Sequence, residues 1–143
     1  MALAVQSILD QRRDQIFPKL DPQDIERVRR FGDVRSFAAS DRIMTAGQVS
    51  PGLVVILAGR VAVARHDPLG IGQQIVTNAQ GNFMGELADL AGRPAFVDAT
   101  AEEAVEALII APERLRALMI AEAELGERVM RALILRRMYL DPP

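Results

Sequence analysis

The run of residues 81–94 carries the side chains whose types and spacing could do chemistry. A glycine turn leads into a short apolar segment, and Gly85 and Glu86 then begin a predicted helix of about a turn and a half. The N-terminus of a helix exposes N–H groups and the positive end of the helix dipole, so it binds anions without any special side chain. Glu86 adds a hydrogen-bond acceptor beside that anion. A ligand that carries both an anion for the helix N-terminus and a hydroxyl donor for Glu86 is indicated, and a sugar phosphate is of this kind.

The same run resembles the phosphate-binding cassette of cyclic nucleotide-binding domains, whose pattern is G-x-F-x-G-E-L-A, a short spacer and then P-R-x-A. The first part of this pattern matches at Gly81, Phe83, Gly85, Glu86, Leu87 and Ala88. The resemblance implies a cyclic nucleotide ligand such as cyclic AMP, with the backbone amides of Gly85, Leu87 and Ala88 facing its phosphate. It also implies that Glu86 accepts a hydrogen bond from the ribose 2′-hydroxyl. The alternative is that Glu86 only stabilises a helix N-terminus, by about 0.3–1 kcal/mol.

The last part of the pattern is not matched. After Pro94 the family has an arginine that contacts the cyclic phosphate, and this chain has Ala95. Because such a contact contributes about 1.5–3 kcal/mol, its absence predicts weak binding or none, with dissociation constants above about 10 μM. An arginine introduced at position 95 is then expected to strengthen binding if the pocket is otherwise open. Arg93 is the candidate substitute cation, and the alternative is that it is a solvated loop arginine.

The residues after the cassette add a second difference. The family usually has a small residue at the position of Phe96, where a phenyl ring would fill the pocket or stack on a base. Asp98 would repel a phosphate if it faced the pocket. Strand alternation places Phe96 and Asp98 on one face of the chain, but the sequence does not assign that face.

The chain around the cassette has the pattern of a mainly β protein. From Gly32 to Ile110, short β-rich runs alternate with turn residues at intervals of about 8–12, which is typical of a sandwich or a barrel. Strands are predicted at Val34–Phe37, Arg42–Thr45, Leu53–Ala58, Arg60–Arg65, Gln73–Asn78, Phe96–Ala101 and Val105–Ile110.

The order of two glycines also resembles the family. Gly47 precedes a buried strand, and Gly59 separates that strand from the next one. The simpler alternative for each is an ordinary hairpin glycine with positive φ. The resemblance implies an eight-stranded antiparallel jelly-roll β-barrel flanked by N-terminal helices and two C-terminal helices. The predicted division is a helical segment at 1–31, the barrel at 32–111, and the C-terminal helices and tail at 112–143.

Helices are predicted on both sides of the strands. The first covers residues 3–16, and the second begins after its cap at Asp21 and runs to about Arg30. After the last strand, one helix begins at Pro112 and a longer one covers residues 123–137.

The last helix has more apolar surface than a lone domain needs. One face carries Leu125, Val129, Ala132, Leu133 and Arg136, and another carries Met130, Ile134, Leu135 and Met138. Since a surface helix needs one apolar stripe, residues 125–138 are predicted to contact a second copy in a homodimer or an attached effector domain. Arg128 and Arg131 would be awkwardly placed if both faces lay on one barrel. The alternative is a helix buried against its own barrel.

The C-terminal stretch resembles a narrower group, the N-terminal sensor domain fused to some bacterial thioredoxin-reductase-like flavoproteins. This resemblance implies a regulatory piece without its enzyme, since these residues contain no G-x-G-x-x-G run and no cysteine pair. The leading interpretation is a non-enzymatic sensor with weak or lost cyclic nucleotide binding, whose C-terminal helices pass the signal to an effector. The alternative is an interaction or dimerisation module that has lost its ligand.

Composition argues against several other kinds of function. The 143 residues include no cysteine, and His66 is the single histidine, so neither a metal nor a redox cofactor is expected. A net charge of −2 and the lack of a helix-turn-helix pattern argue against nucleic acid. No apolar run reaches the roughly 18–20 residues of a membrane helix, and the N-terminus does not have the pattern of a signal peptide. A cytoplasmic location is therefore expected.

Overall fold

The computed structural model describes residues 11–66, 73–85 and 93–139. Its strands are β1 (Asp33–Phe37), β2 (Arg42–Met44), β3 (Leu53–Ala58), β4 (Val61–His66), β5 (Gln73–Asn78), β6 (Phe83–Met84), β7 (Val97–Ala101) and β8 (Val105–Ile110). Its helices are α1 (Arg13–Ile16), α2 (Pro22–Arg29), α3 (Pro112–Ala121) and α4 (Ala123–Tyr139).

The strands form two antiparallel sheets of four strands each. The first sheet has the order β1-β8-β3-β6, and the second has the order β2-β7-β4-β5. In the first, Val54 of β3 lies between Ile109 of β8 and Met84 of β6. The predicted mainly β fold of eight antiparallel strands is confirmed, but the described strands form two sheets and not a closed barrel. Their backbone ladders do not join the two sheets, which face each other through apolar side chains instead.

Strand β3 shows how the sheets and the helices share one core. Leu53 and Val55 belong to a cluster with the helices, whereas Val54 and Ile56 belong to the cluster between the sheets. None of the four is more than 1% exposed. A strand that is covered on both faces is apolar at every position rather than at alternate ones. That double burial explains the continuous Leu53-Val-Val-Ile-Leu run.

The predicted elements agree closely with the described ones. The bounds of the seven predicted strands lie within one residue of β1–β5, β7 and β8, and the short apolar segment between Gly81 and Gly85 forms β6. Helices α2, α3 and α4 confirm the three later helix predictions. Helix α1 is the end of the predicted helix at 3–16, and residues 3–10 lie outside the described residues.

Helix α2 begins with a capping box and is tied to α4. The Asp24 N–H donates to Asp21 Oδ1 at 2.8 Å, and the Asp21 N–H donates to Asp24 Oδ2 at 3.1 Å. Asp24 also accepts two hydrogen bonds from the Arg128 guanidinium of α4, at 2.9 and 3.3 Å. Burial of Asp24 opposes its ionisation, but the Arg128 and Asp21 hydrogen bonds outweigh it, so the pKa of Asp24 is lowered. Arg128 is therefore well placed rather than awkward.

Candidate functional site

The start of the cassette is held between β3 and the segment that precedes α2. Gly81 has a φ of +89°, and a Cβ atom there would lie 2.5 Å from the Leu20 carbonyl oxygen. The Gly81 N–H donates to the Ile56 carbonyl at 2.9 Å, and the Gly81 carbonyl accepts from the Leu20 N–H at 2.8 Å. Backbone conformation and close packing thus both require glycine at this position.

Strand β6 carries the chain from that turn to the candidate anion-binding segment. Phe83 packs in the cluster with the helices, and Met84 packs in the cluster between the sheets. Gly85 follows them and is buried. Its carbonyl accepts a hydrogen bond from Arg136 Nη1 at 3.2 Å. The first predicted ligand residue therefore contacts the C-terminal helix as well as β6.

The predicted ligand residues Glu86, Leu87 and Ala88 lie outside the described residues. Their contacts with a phosphate and a ribose therefore stay predictions. The structure describes the flanks of this segment, which end at Gly85 and resume at Arg93.

Ala95 lies in the interior between the two sheets. Its side chain is 3% exposed and belongs to the cluster that also contains Val97. Its N–H donates to the Gln48 carbonyl at 2.8 Å, and its carbonyl accepts from the Gly47 N–H at 3.0 Å. Arg93 lies two residues before Ala95, beside Pro94, which pairs with Val49, and it is exposed.

Asp98 faces away from the interior that contains Ala95. Its Oδ1 accepts from the Ala46 N–H at 2.9 Å and lies 2.9 Å from Arg42 Nη1. Within β7 the odd-numbered residues are buried and the even-numbered ones are partly exposed. Phe96 is half-buried at a bend just before β7. Asp98 therefore joins β7 to Arg42 at the start of β2 and to Ala46 just after its end, and it adds no negative charge to the interior between the sheets.

Arg136 contacts the site, and the sequence alone did not indicate this role. It is 3% exposed, and its Nε donates to the Ile16 carbonyl at 2.9 Å while its Nη1 donates to Gly85. Its guanidinium carbon lies 4.9 Å from the centre of the Phe83 ring and 5.1 Å from that of Phe17. The available signal was an arginine on an otherwise apolar helix face.

Among the described residues, no three or more histidine, cysteine, aspartate or glutamate side chains form a group that could hold a metal ion. In that part of the chain, no helix combines the length and apolar character needed to cross a membrane.

Two facing antiparallel sheets, with helices before and after them and a glycine-led segment entering from β6, define a β-sandwich domain. Residues 34–122 match the cyclic nucleotide-binding domain family. Because the match covers more than half of the 143 residues, the chain belongs to that family, whose members are typically regulatory and non-enzymatic. The match ends just after α3, so α4 lies beyond it.

Solved structures share this fold at low sequence identity. The catabolite activator protein of Thermus thermophilus is 22% identical with a TM-score of 0.69, and the match covers 87% of this chain and 58% of that one. The N-terminal domain of a transcriptional regulator from Streptomyces coelicolor A3(2) is 23% identical with a TM-score of 0.61, covering 89% and 88%. A cyclic nucleotide-binding domain from Methylobacillus flagellatus KT is 23% identical with a TM-score of 0.61, covering 77% and 64%. The chain thus spans little more than half of the Thermus protein. Among curated proteins, none matches the sequence.

Proposed function

We propose that this chain is a non-enzymatic regulatory domain that weakly binds a small anion of the cyclic nucleotide class at residues 85–88. The observation that carries the proposal is the position of Arg93, an exposed cation on the flank of that segment two residues before the buried Ala95. An anion held by the backbone amides after Gly85 would then have a cation on the other flank of the same segment. Membership of the family supports the choice of ligand class.

The same arrangement explains why the binding should be weak. Ala95 offers a methyl group and no positive charge to the interior. Arg93 is exposed, so water and salt screen its attraction for an anion more than they would in a buried site. We therefore expect dissociation constants above about 10 μM for cyclic AMP and cyclic GMP.

Removing Arg93 tests this proposal. The variant Arg93→Ala should weaken binding by about 2- to 5-fold, because an exposed and screened charge contributes at most about 1 kcal/mol to holding the phosphate. Isothermal titration calorimetry with both nucleotides measures the change. Arg35→Ala, which removes an exposed arginine from β1, is the matched control and should leave affinity unchanged. Equal affinities for Arg93→Ala and the wild type would make Arg93 a solvated loop residue, and nanomolar wild-type binding would contradict the weak site.

A second function, association through α4, is favoured by the exposed side of that helix. Leu125, Val129, Ala132 and Leu133 pack in the chain's own core. On the other side, Ile134 is 43% exposed and Met138 is 63% exposed, and Met130, one turn earlier, is partly buried. The spacing of these three residues forms one apolar stripe along the helix. We propose that this stripe contacts a second copy of the chain.

The double variant Met130→Glu/Ile134→Glu should convert a dimer into a monomer. Four added charges would face each other across the two copies, whereas the fold should lose little stability because the stripe lies outside the core. Light scattering at high micromolar concentration measures the mass. Ile120→Glu, at a side chain of α3 that is 84% exposed, is the control and should stay dimeric. A monomeric wild type would exclude the dimer and favour an attached effector, for which a thioredoxin-reductase-like enzyme is the expected kind.

The two functions are separable. If calorimetry detects no nucleotide while the dimer is present, the chain is an association module without a ligand. Ala95 is the described residue that agrees best with that alternative, because it supplies no cation where the cassette pattern has one.

A further inference from the structure

The Arg136 side chain contacts two segments that are far apart in sequence. One is the Ile16 carbonyl in the last turn of α1, and the other is the Gly85 carbonyl just after β6. Carbonyls in the last turn of a helix have no partner within the helix and need one from elsewhere. Arg136 supplies that partner to α1 and binds the residue at which the candidate anion segment begins. One side chain of α4 therefore contacts both segments at once.

Helix α1 depends on contacts outside itself. It contains four residues, Arg13–Ile16, and a helix that short is not stable alone in water. It packs against α4, and Ile16 is fully buried. The Phe17 ring that follows α1 lies against one side of the Arg136 guanidinium, and the Phe83 ring of β6 lies within similar reach. The conformation of α1 is thus linked to the position of Arg136.

A buried guanidinium holds its neighbours in specific directions. Arginine keeps its charge, and its planar group donates hydrogen bonds along fixed lines. Moving the Gly85 carbonyl would either break its bond to Arg136 or shift the guanidinium away from Ile16. Loss of either bond would leave a polar group without its partner inside the protein, at a cost in free energy. The two contacts should therefore form and break together.

We propose that Arg136 is a positioning residue that couples Gly85 to helix α1 and to the last turns of α4. A change in the position of Gly85 then changes how firmly α1 is held. The coupling of Gly85 to α1 stands on the structure of the chain itself. The further claim that this coupling signals a bound anion rests on the proposed function.

Hydrogen–deuterium exchange of the full chain tests the coupling without any ligand. In Arg136→Met, exchange at residues 13–17 and at residues 83–85 should rise together by about tenfold or more, while β3 changes by less than about twofold. Arg131→Met is the matched control, because Arg131 lies on the same helix and pairs with Glu127 on the surface. It should leave both segments unchanged. A rise in only one segment, or an equal rise in β3, would overturn the coupling.

A lysine variant separates the effect of the directional guanidinium hydrogen bonds from the effect of the positive charge. Arg136→Lys keeps the positive charge but lacks the planar group that reaches two carbonyls, so it should restore less than half of the protection. Full restoration would assign the effect to charge alone and overturn the two-carbonyl arrangement.

The signalling role is tested with cyclic AMP and cyclic GMP as probes. At saturating nucleotide, the wild type should show altered exchange at residues 13–17, and Arg136→Met should bind with an altered affinity and lose that response. Binding without a response in the wild type would overturn the signalling role. If calorimetry shows that neither nucleotide binds the wild type, the proposed function and this signalling role fail, while the ligand-free exchange still decides whether Arg136 couples Gly85 to α1.

Discussion

The variant Ala95→Arg is expected to lose about 3–5 kcal/mol of folding free energy or to fail to fold. Ala95 is 3% exposed and packs among apolar side chains between the two sheets. A guanidinium placed there would be buried without a counter-ion, which is among the costliest changes a core can receive. Urea denaturation followed by circular dichroism measures the difference in the free energy of unfolding.

The control for this variant is Ala117→Arg, at an exposed position of α3, which should change stability by less than about 0.5 kcal/mol. From the sequence alone, an arginine at position 95 is expected to strengthen nucleotide binding. The burial of Ala95 reverses that expectation. A variant that folds with wild-type stability and binds cyclic nucleotide more tightly would show that position 95 lines an open pocket.

Replacing Gly59 with alanine is expected to lower the free energy of unfolding by about 2–5 kcal/mol, against about 1–2 kcal/mol for the same change at Gly47. The two glycines have nearly equal φ angles, +90° and +86°, so the backbone cost is matched. They differ in their surroundings. A Cβ atom at Gly59 would lie 2.4 Å from the Ala104 carbonyl oxygen, whereas a Cβ atom at Gly47 would meet nothing within 4 Å.

Guanidinium denaturation of both variants gives the two free energies, and their difference isolates the close contact at Gly59. Equal losses at the two positions would mean that the Ala104 backbone moves aside at no cost. Gly47 lies in a turn with open space around it, whereas Gly59 lies where two chain segments approach closely.

Local sequence signals predicted most of the secondary structure because they act within a few residues. Asp21, Pro22 and Asp24 mark the start of α2 by backbone capping and a preset φ angle, and the helix begins where they predict. Strand β6 is the exception among the strands. It has two residues, which is too short for a periodic pattern, and it exists because Val54 and Val55 of β3 pair with it.

The resemblance to cyclic nucleotide-binding domains came from a short run of residues, and the family match confirms it. The eight antiparallel strands expected with it are present, but they do not close into a barrel, since strand patterns show which faces are apolar but not which edges pair. The face shared by Phe96 and Asp98 was likewise left open by alternation alone. The burial pattern of β7 and the contacts of Asp98 with Ala46 and Arg42 assign the side of Asp98.

The sequence by itself determined where the elements lie, that the chain is mainly β with flanking helices, and which family it belongs to. Only the tertiary structure decided the contacts of Arg136 and Arg128, whose partners are separated from them by 120 residues at Ile16, 51 at Gly85 and 104 at Asp24. Turn and capping signals depend on neighbours along the chain, so they can be read from a single sequence. A buried polar contact depends on the packing of distant segments. The sequence does not distinguish an arginine whose side chain is in water from one that donates to two carbonyls in the core.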